Sequence, residues 1–126
     1  MAAVVSPGPI LLVEDDADSR FMMAKLLGAV GYEVVTAANG DEALELVEER
    51  DFALVILDYM MPRMHGLELF NRLRELRPGI KGIFLTGYLT PSSTGAALDA
   101  GAKRVLAKPV PVEELVGVIE EIAVRC

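Results

Sequence analysis

Cysteine is nearly absent, with Cys126 the only one in the chain. That excludes an internal disulfide framework and a cysteine zinc cluster, and points to a reducing compartment. Basic residues are also scarce: 12 Lys and Arg stand against 19 Asp and Glu, a net charge of −7. Nucleic-acid phosphates and anionic lipids both call for clustered Lys and Arg, so neither is expected as a direct partner. Long apolar runs are missing too. Phe52 to Leu57, the longest uncharged one near the middle of the chain, is far below the roughly 20 residues that span a bilayer. Met1 to Ile10 holds no basic residue and does not read as a secretory signal. No G-x-x-x-x-G-K-[ST] phosphate loop, internal repeat or interdomain linker is visible. What is left is a soluble, cytoplasmic single domain: 126 residues, 52% of them hydrophobic, too apolar for disorder. Residues 1–9 read as a loose tail and 10–126 as the domain.

Five short apolar runs recur: Ile10 to Val13, Glu33 to Ala37, Ala53 to Leu57, Lys81 to Thr86 and Arg104 to Ala107. Continuous rather than alternating apolar character marks strands buried on both faces of a parallel sheet. Segments of helical period separate them. Ser19 to Val30 sets Met22, Leu26, Ala29 and Val30 on one face, with Met23 and Leu27 beside it and Gly31 at its end. Asp41 to Arg50 sets Ala43, Leu44 and Val47 against acids. Gly66 to Leu76 carries Leu69, Phe70 and Leu73 and stops at Arg77-Pro78-Gly79. Pro91 to Ala100 has Thr90 as N-cap and Pro91 at its first position, and Val110 to Val124 repeats the device with Pro111. Five strand–helix units imply a doubly wound α/β fold with a five-stranded parallel sheet and helices on both faces. Ligands of such sheets bind beyond the carboxyl ends of the strands, at the topological switch point.

Those ends collect charge. Glu14, Asp15 and Asp16 follow the first strand, with Asp18 just beyond; Asp58 follows the third, Thr86 ends the fourth, and Lys108-Pro109 ends the fifth. Crowded carboxylates repel unless neutralised. A hard divalent cation such as Mg²⁺, bound through one or two carboxylates, is the simplest remedy. Asp16 and Asp18 read equally well as helix N-caps. Asp58 does not, because the Tyr-Met-Met-Pro that follows it starts no helix. Lys108 is either solvated or paired with Asp58 or a bound phosphate. The bond between it and Pro109 is either trans or cis.

At these residues the chain resembles the receiver domain of two-component response regulators, in the superfamily of the chemotaxis regulators. The resemblance runs from about Ile10 to Val124 through LLVEDD (Leu11 to Asp16), ANGDEAL (Ala38 to Leu44), LDYMMPRMHG (Leu57 to Gly66), FLTGY (Phe84 to Tyr88) and GAKRVLAKP (Gly101 to Pro109). It implies a flavodoxin-like (βα)5 fold. It also implies that Asp58 is the phosphoacceptor, taking a phosphoryl group from the phosphohistidine of a histidine kinase or phosphotransfer protein. Mg²⁺, or Mn²⁺ in its place, would bind Asp15, Asp58 and the Met60 backbone carbonyl directly and Glu14 through water. Thr86 would be the switch hydroxyl and Lys108 the phosphoryl-binding ammonium, with Asp16, Pro109 and Tyr88 in the surroundings. Phosphorylation would bias Gly87 to Val105 and thereby an output domain or target protein. The protein would catalyse only its own phosphorylation and slow dephosphorylation.

Several features depart from the pattern or stand outside it. Many receivers carry an aromatic three residues before the lysine; here that position is Val105. Tyr88 is read either as a cap on the site or partner contact, or as an exposed loop residue. Tyr59 and Met60 flank the path of attacking water. Phe21, off the apolar face of its helix, is a candidate docking residue for a kinase. His65, the only histidine, is expected exposed in a loop. Two other classes compete: a receiver-like module that takes no phosphate, and a phosphatase or flavin carrier of similar architecture. The full set Asp15, Asp58, Thr86 and Lys108 opposes the former. Met60, where the phosphatase pattern needs a second aspartate, opposes the phosphatase. A self-contained receiver and a domain of a larger protein both fit.

Overall fold

The computed structural model describes residues 8–61 and 64–124. The strands are β1 (Ile10–Val13), β2 (Val34–Ala37), β3 (Leu54–Asp58), β4 (Lys81–Thr86) and β5 (Arg104–Ala107). The helices are α1 (Ala17–Val30), α2 (Gly40–Glu49), α3 (Gly66–Leu76), α4 (Pro91–Asp99) and α5 (Val112–Ile119). All pairings are parallel, in the order β2-β1-β3-β4-β5. The order reverses at β1, so the switch point lies between β1 and β3. The expected doubly wound fold is the observed one. No helix among the described residues is long and apolar enough to cross a membrane. Of the expected tail, only Gly8 and Pro9 lie within the described residues, and Cys126 lies outside them.

The pleat divides the core in two. Leu11, Val13, Val55, Leu57 and Phe84 pack with Ala43 and Val47 of α2, Leu69, Phe70 and Leu73 of α3, and Ala97 of α4. Their neighbours Ile10, Leu12, Leu54, Ile56, Ile83, Leu85 and Leu106 pack with Leu27 of α1 and Leu115, Val118 and Ile119 of α5. β1 and β3 are buried along their whole length, as continuous apolar runs require, whereas β2 and β5 at the edges are part-exposed. Local signals match the structure at several ends. The Thr90 side chain accepts from Ser93 N–H in a capping box ahead of Pro91. Gly31 closes α1 in the left-handed region, at φ 119°. Arg77 caps the end of α2 from outside, its Nε donating to the Val47 carbonyl at 3.0 Å.

Two expectations need correction. Met22 and Leu26 were expected on the buried face of α1, but they are 54% and 42% exposed. Leu27 is the fully buried residue, with Met23, Ala24 and Val30 packed beside it. The helix is turned so that Met22 and Leu26 line an open groove between α1 and the segment leading into α5. The last helix also differs. Pro111 is its N-cap rather than its first residue, and after Ile119 the chain widens into a π-helix over Glu120–Val124. Within that turn Lys81 Nζ donates to the Ile122 carbonyl at 3.0 Å.

The rotation of α1 is testable by urea denaturation. Leu27→Ala is expected to cost about 2–5 kcal/mol and Leu26→Ala less than about 0.5 kcal/mol. Equal losses would contradict the orientation described.

Candidate functional site

Period-2 alternation brings three charges to one corner. Glu14, just past β1, falls on the side of Ile10 and Leu12. Asp58, the last residue of β3, falls on that of Leu54 and Ile56, and Lys108, just past β5, on that of Leu106. All three therefore stand above the α1/α5 half of the core. Lys108 Nζ donates to Asp58 Oδ2 at 2.7 Å and to Glu14 Oε1 at 2.9 Å. Asp58 is 8% exposed and Glu14 3%, so neither is compensated by bulk water, and the shared ammonium stabilises both. Burial by itself would lower the Lys108 pKa. The hydrogen bonds to Asp58 and Glu14 and their negative charges outweigh it, and hold the ammonium above the ordinary 10.5.

Asp15 completes the pocket from the exposed side. One carboxylate oxygen each from Glu14, Asp15 and Asp58 lie within 4.8 Å of one another. Three carboxylates against the one ammonium paired with them leave two negative charges in excess. Hard oxygen donors with an uncompensated double charge fit a divalent cation. Two groups hold the chain around the acids. Arg20 Nη1 donates to the Glu14 carbonyl at 2.9 Å. Gly66 N–H donates to the Tyr59 carbonyl at 2.9 Å, and a Cβ at Gly66 would collide with the Asp58 carbonyl oxygen.

The model of the response regulator receiver domain family matches residues 10–120. The chain belongs to that family. The response regulator receiver protein CpdR of Brucella abortus is 40% identical over 119 residues, spanning 91% of this chain and 96% of CpdR. A response regulator protein from Burkholderia pseudomallei, solved with a phosphorylated aspartic acid, a calcium ion and citrate, superposes with a TM-score of 0.82 at 32% identity, over 87% of this chain and 65% of that one. TrrA from Thermotoga maritima, solved with Mg(2+)-BeF, gives 0.81 at 33% identity, over 91% and 98%. The receiver domain is thus a phosphoacceptor domain of two-component signalling, with an acid cluster suited to a divalent cation.

The receiver domain places its other expected site residues unevenly. Thr86 is buried at the sheet edge but falls on the side of Phe84, away from Lys108. Its Oγ1 accepts from Tyr88 N–H at 3.1 Å and donates to the Tyr88 carbonyl at 3.3 Å. Val105 pairs in register with Phe84 and packs half-buried on that same side. Tyr88 is 83% exposed, so it does not cover the pocket. Asp16 is the N-cap of α1: its side chain accepts from Ser19 N–H at 2.8 Å, which lowers its pKa. Asp18 is an exposed acid of the first turn. The Lys108–Pro109 bond is cis, and Pro109 lines the groove beside Lys108. Met60 is exposed just beyond Asp58. Phe21 is 67% exposed on α1, with Lys25 Nζ 6.0 Å from its ring centroid.

His65 is not the exposed loop residue expected. It is half-buried and caps α3, Nδ1 accepting from Leu67 N–H at 3.2 Å, and its ring packs edge-on against Tyr59 at 4.6 Å. Imidazole is an uncommon cap, so residue type gave no signal. Neither Arg20 nor the close packing at Gly66 was read from the sequence, where Gly66 stood only as a helix start and motif end. For Arg20, the usable signal was its place early in α1, from which helical side chains lean back toward the N-terminus.

Gly66→Ala is expected to cost about 1–3 kcal/mol or more by urea denaturation, because its methyl meets fixed backbone; an unchanged midpoint would contradict the close approach. The raised Lys108 pKa gives a contribution that is full below pH 10.5, the ordinary lysine value, and lost as pH rises through the folded-state pKa. The stability gap between wild type and Lys108→Met should therefore shrink above that range. A gap that persists there would contradict the pairing.

Proposed function

We propose that Asp58 accepts a phosphoryl group from the phosphohistidine of a histidine kinase or histidine phosphotransfer protein, with Mg²⁺ bound beside it. The observation that carries this reading is the Lys108 ammonium, 2.7 Å from Asp58 Oδ2 and 2.9 Å from Glu14 Oε1. A carboxylate is a weak nucleophile, and phosphoryl transfer needs chiefly alignment and neutralisation of the transferred oxygens. An Asp58 oxygen forms the new bond to phosphorus as the bond to the donor imidazole nitrogen breaks, and the imidazole leaves with the electron pair. Lys108, already at the carboxylate, moves its donors onto the arriving phosphoryl oxygens. Asp15, Asp58 and the Met60 backbone carbonyl would hold Mg²⁺, with Glu14 assisting through a water. When bound, the ion neutralises charge on the acids and the phosphoryl group; Mn²⁺ serves the same purpose.

The phosphorylated side chain carries about −1.5 to −2 where the carboxylate carried −1. Thr86 leaves its bonds to the Tyr88 main chain and turns toward it, biasing Gly87 to Val105. With Val105 half-buried on the Thr86 side, no aromatic follows the hydroxyl inward at that position. Water then hydrolyses the acyl phosphate slowly, and no external metabolite is turned over. Residues 10–126 act as the receiver unit, in the cytoplasm, on an output domain or target protein. The donor docks on the exposed face of α1, which carries Phe21 and, at Met22 and Leu26, lines the groove of about 660 Å³ that reaches Glu14 and Lys108.

Incubation with acetyl phosphate or phosphoramidate and Mg²⁺ is expected to add one phosphoryl group by intact mass, lost in Asp58→Asn and on chelation by EDTA. Phosphorylation that survives Asp58→Asn would contradict the assignment. Phe21→Ala is expected to slow transfer from a phosphorylated kinase by about tenfold, a single interface hot spot, while leaving acetyl phosphate labelling unchanged. Parallel losses with both donors would argue against docking.

A further inference from the structure

Arg20 has no part in that reaction, yet it reaches the acid pocket. Its N–H donates to the Asp16 carbonyl at 2.9 Å within α1. Its side chain leans toward the helix N-terminus, as helical side chains do. Nη1 there donates to the Glu14 carbonyl at 2.9 Å and stands 3.5 Å from the Asp15 carbonyl. Both carbonyls lie between the end of β1 at Val13 and the start of α1 at Ala17. They belong to the two acids that leave the sheet together. The guanidinium contacts their main chain and leaves their side chains alone: no ion pair among the described residues includes Arg20. The Glu14 carboxylate is shared between Lys108 and the N–H of Asp16.

We infer that Arg20 is a positioning residue for the cation site. It fixes the backbone of Glu14 and Asp15, and so holds their carboxylates at the spacing a divalent cation needs. The inference rests on the Mg²⁺ site proposed above. Groups that orient ligands from behind commonly change metal affinity by about 10–100-fold. The sign separates positioning from charge. Removing a cation beside three carboxylates strengthens their attraction for Mg²⁺, whereas releasing their backbone weakens binding.

Isothermal titration of Mg²⁺ into wild type, Arg20→Ala, Arg20→Met and Arg20→Lys decides the matter, below the melting temperature of each metal-free protein. Arg20→Ala and Arg20→Met are expected to weaken Mg²⁺ binding by about tenfold. Arg20→Lys, which keeps a charged donor, is expected to restore most of it. Unchanged or tighter binding in the Ala and Met variants would overturn the inference, even with a lowered melting temperature, because a purely structural or electrostatic role gives that result. If Arg20→Ala fails to fold, Arg20→Met against Arg20→Lys carries the same comparison. An absence of Mg²⁺ binding in wild type would instead remove the proposed cation site itself.

Discussion

Two carboxylates and one ammonium meet at the carboxyl edge of the sheet, and the rest of the site is arranged around them. Glu14 and Asp58 are nearly sealed from water, which for unpaired carboxylates is strongly unfavourable. Lys108 makes the arrangement stable by donating to both at once. The same contact keeps the two acids close enough for Asp15 to complete a cluster of three oxygens within 4.8 Å. Stability and chemistry are therefore coupled here. The ammonium that compensates buried charge in the resting state is already beside the oxygen proposed to take the phosphoryl group.

The alternation of side chains along the strands explains which groups meet. Glu14, Asp58 and Lys108 fall on the α1/α5 side of the sheet, while Thr86 and Val105 fall on the other. Thr86 is thus near the site in sequence pattern but turned to its own loop, bonded to the Tyr88 main chain. A hydroxyl held in this way has an alternative partner to exchange for a phosphoryl oxygen. That gives the proposed switch two defined states rather than a diffuse loosening.

Much of this was legible in the sequence, for identifiable reasons. Buried parallel strands need continuous apolar runs, so β1 and β3 stood out, and the acids ending them located the site. The span of α3 matched its expectation because Arg77-Pro78-Gly79 stops it. The failures have causes as specific. Met22 and Leu26 carry the apolar signal of a core face, but they line an open groove, and hydropathy does not distinguish the two. His65 was misread because a capping imidazole looks like any polar loop residue. Asp16 satisfied two readings, and the three-residue step to Ser19 N–H decided for the cap. Arg20 contacts main-chain carbonyls, which no pattern of residue types records.

The proposed cation site depends on Asp15 as well as on the buried pair, Glu14 and Asp58. Thermal unfolding with and without saturating Mg²⁺ tests it most directly. A ligand at about 100 times its dissociation constant adds about 2.7 kcal/mol to the folded state. A clear rise in melting temperature is expected for the wild-type chain, with most of that rise lost in Asp15→Ala. A wild-type melting temperature unmoved by saturating Mg²⁺, or a rise of equal size in Asp15→Ala, would contradict it.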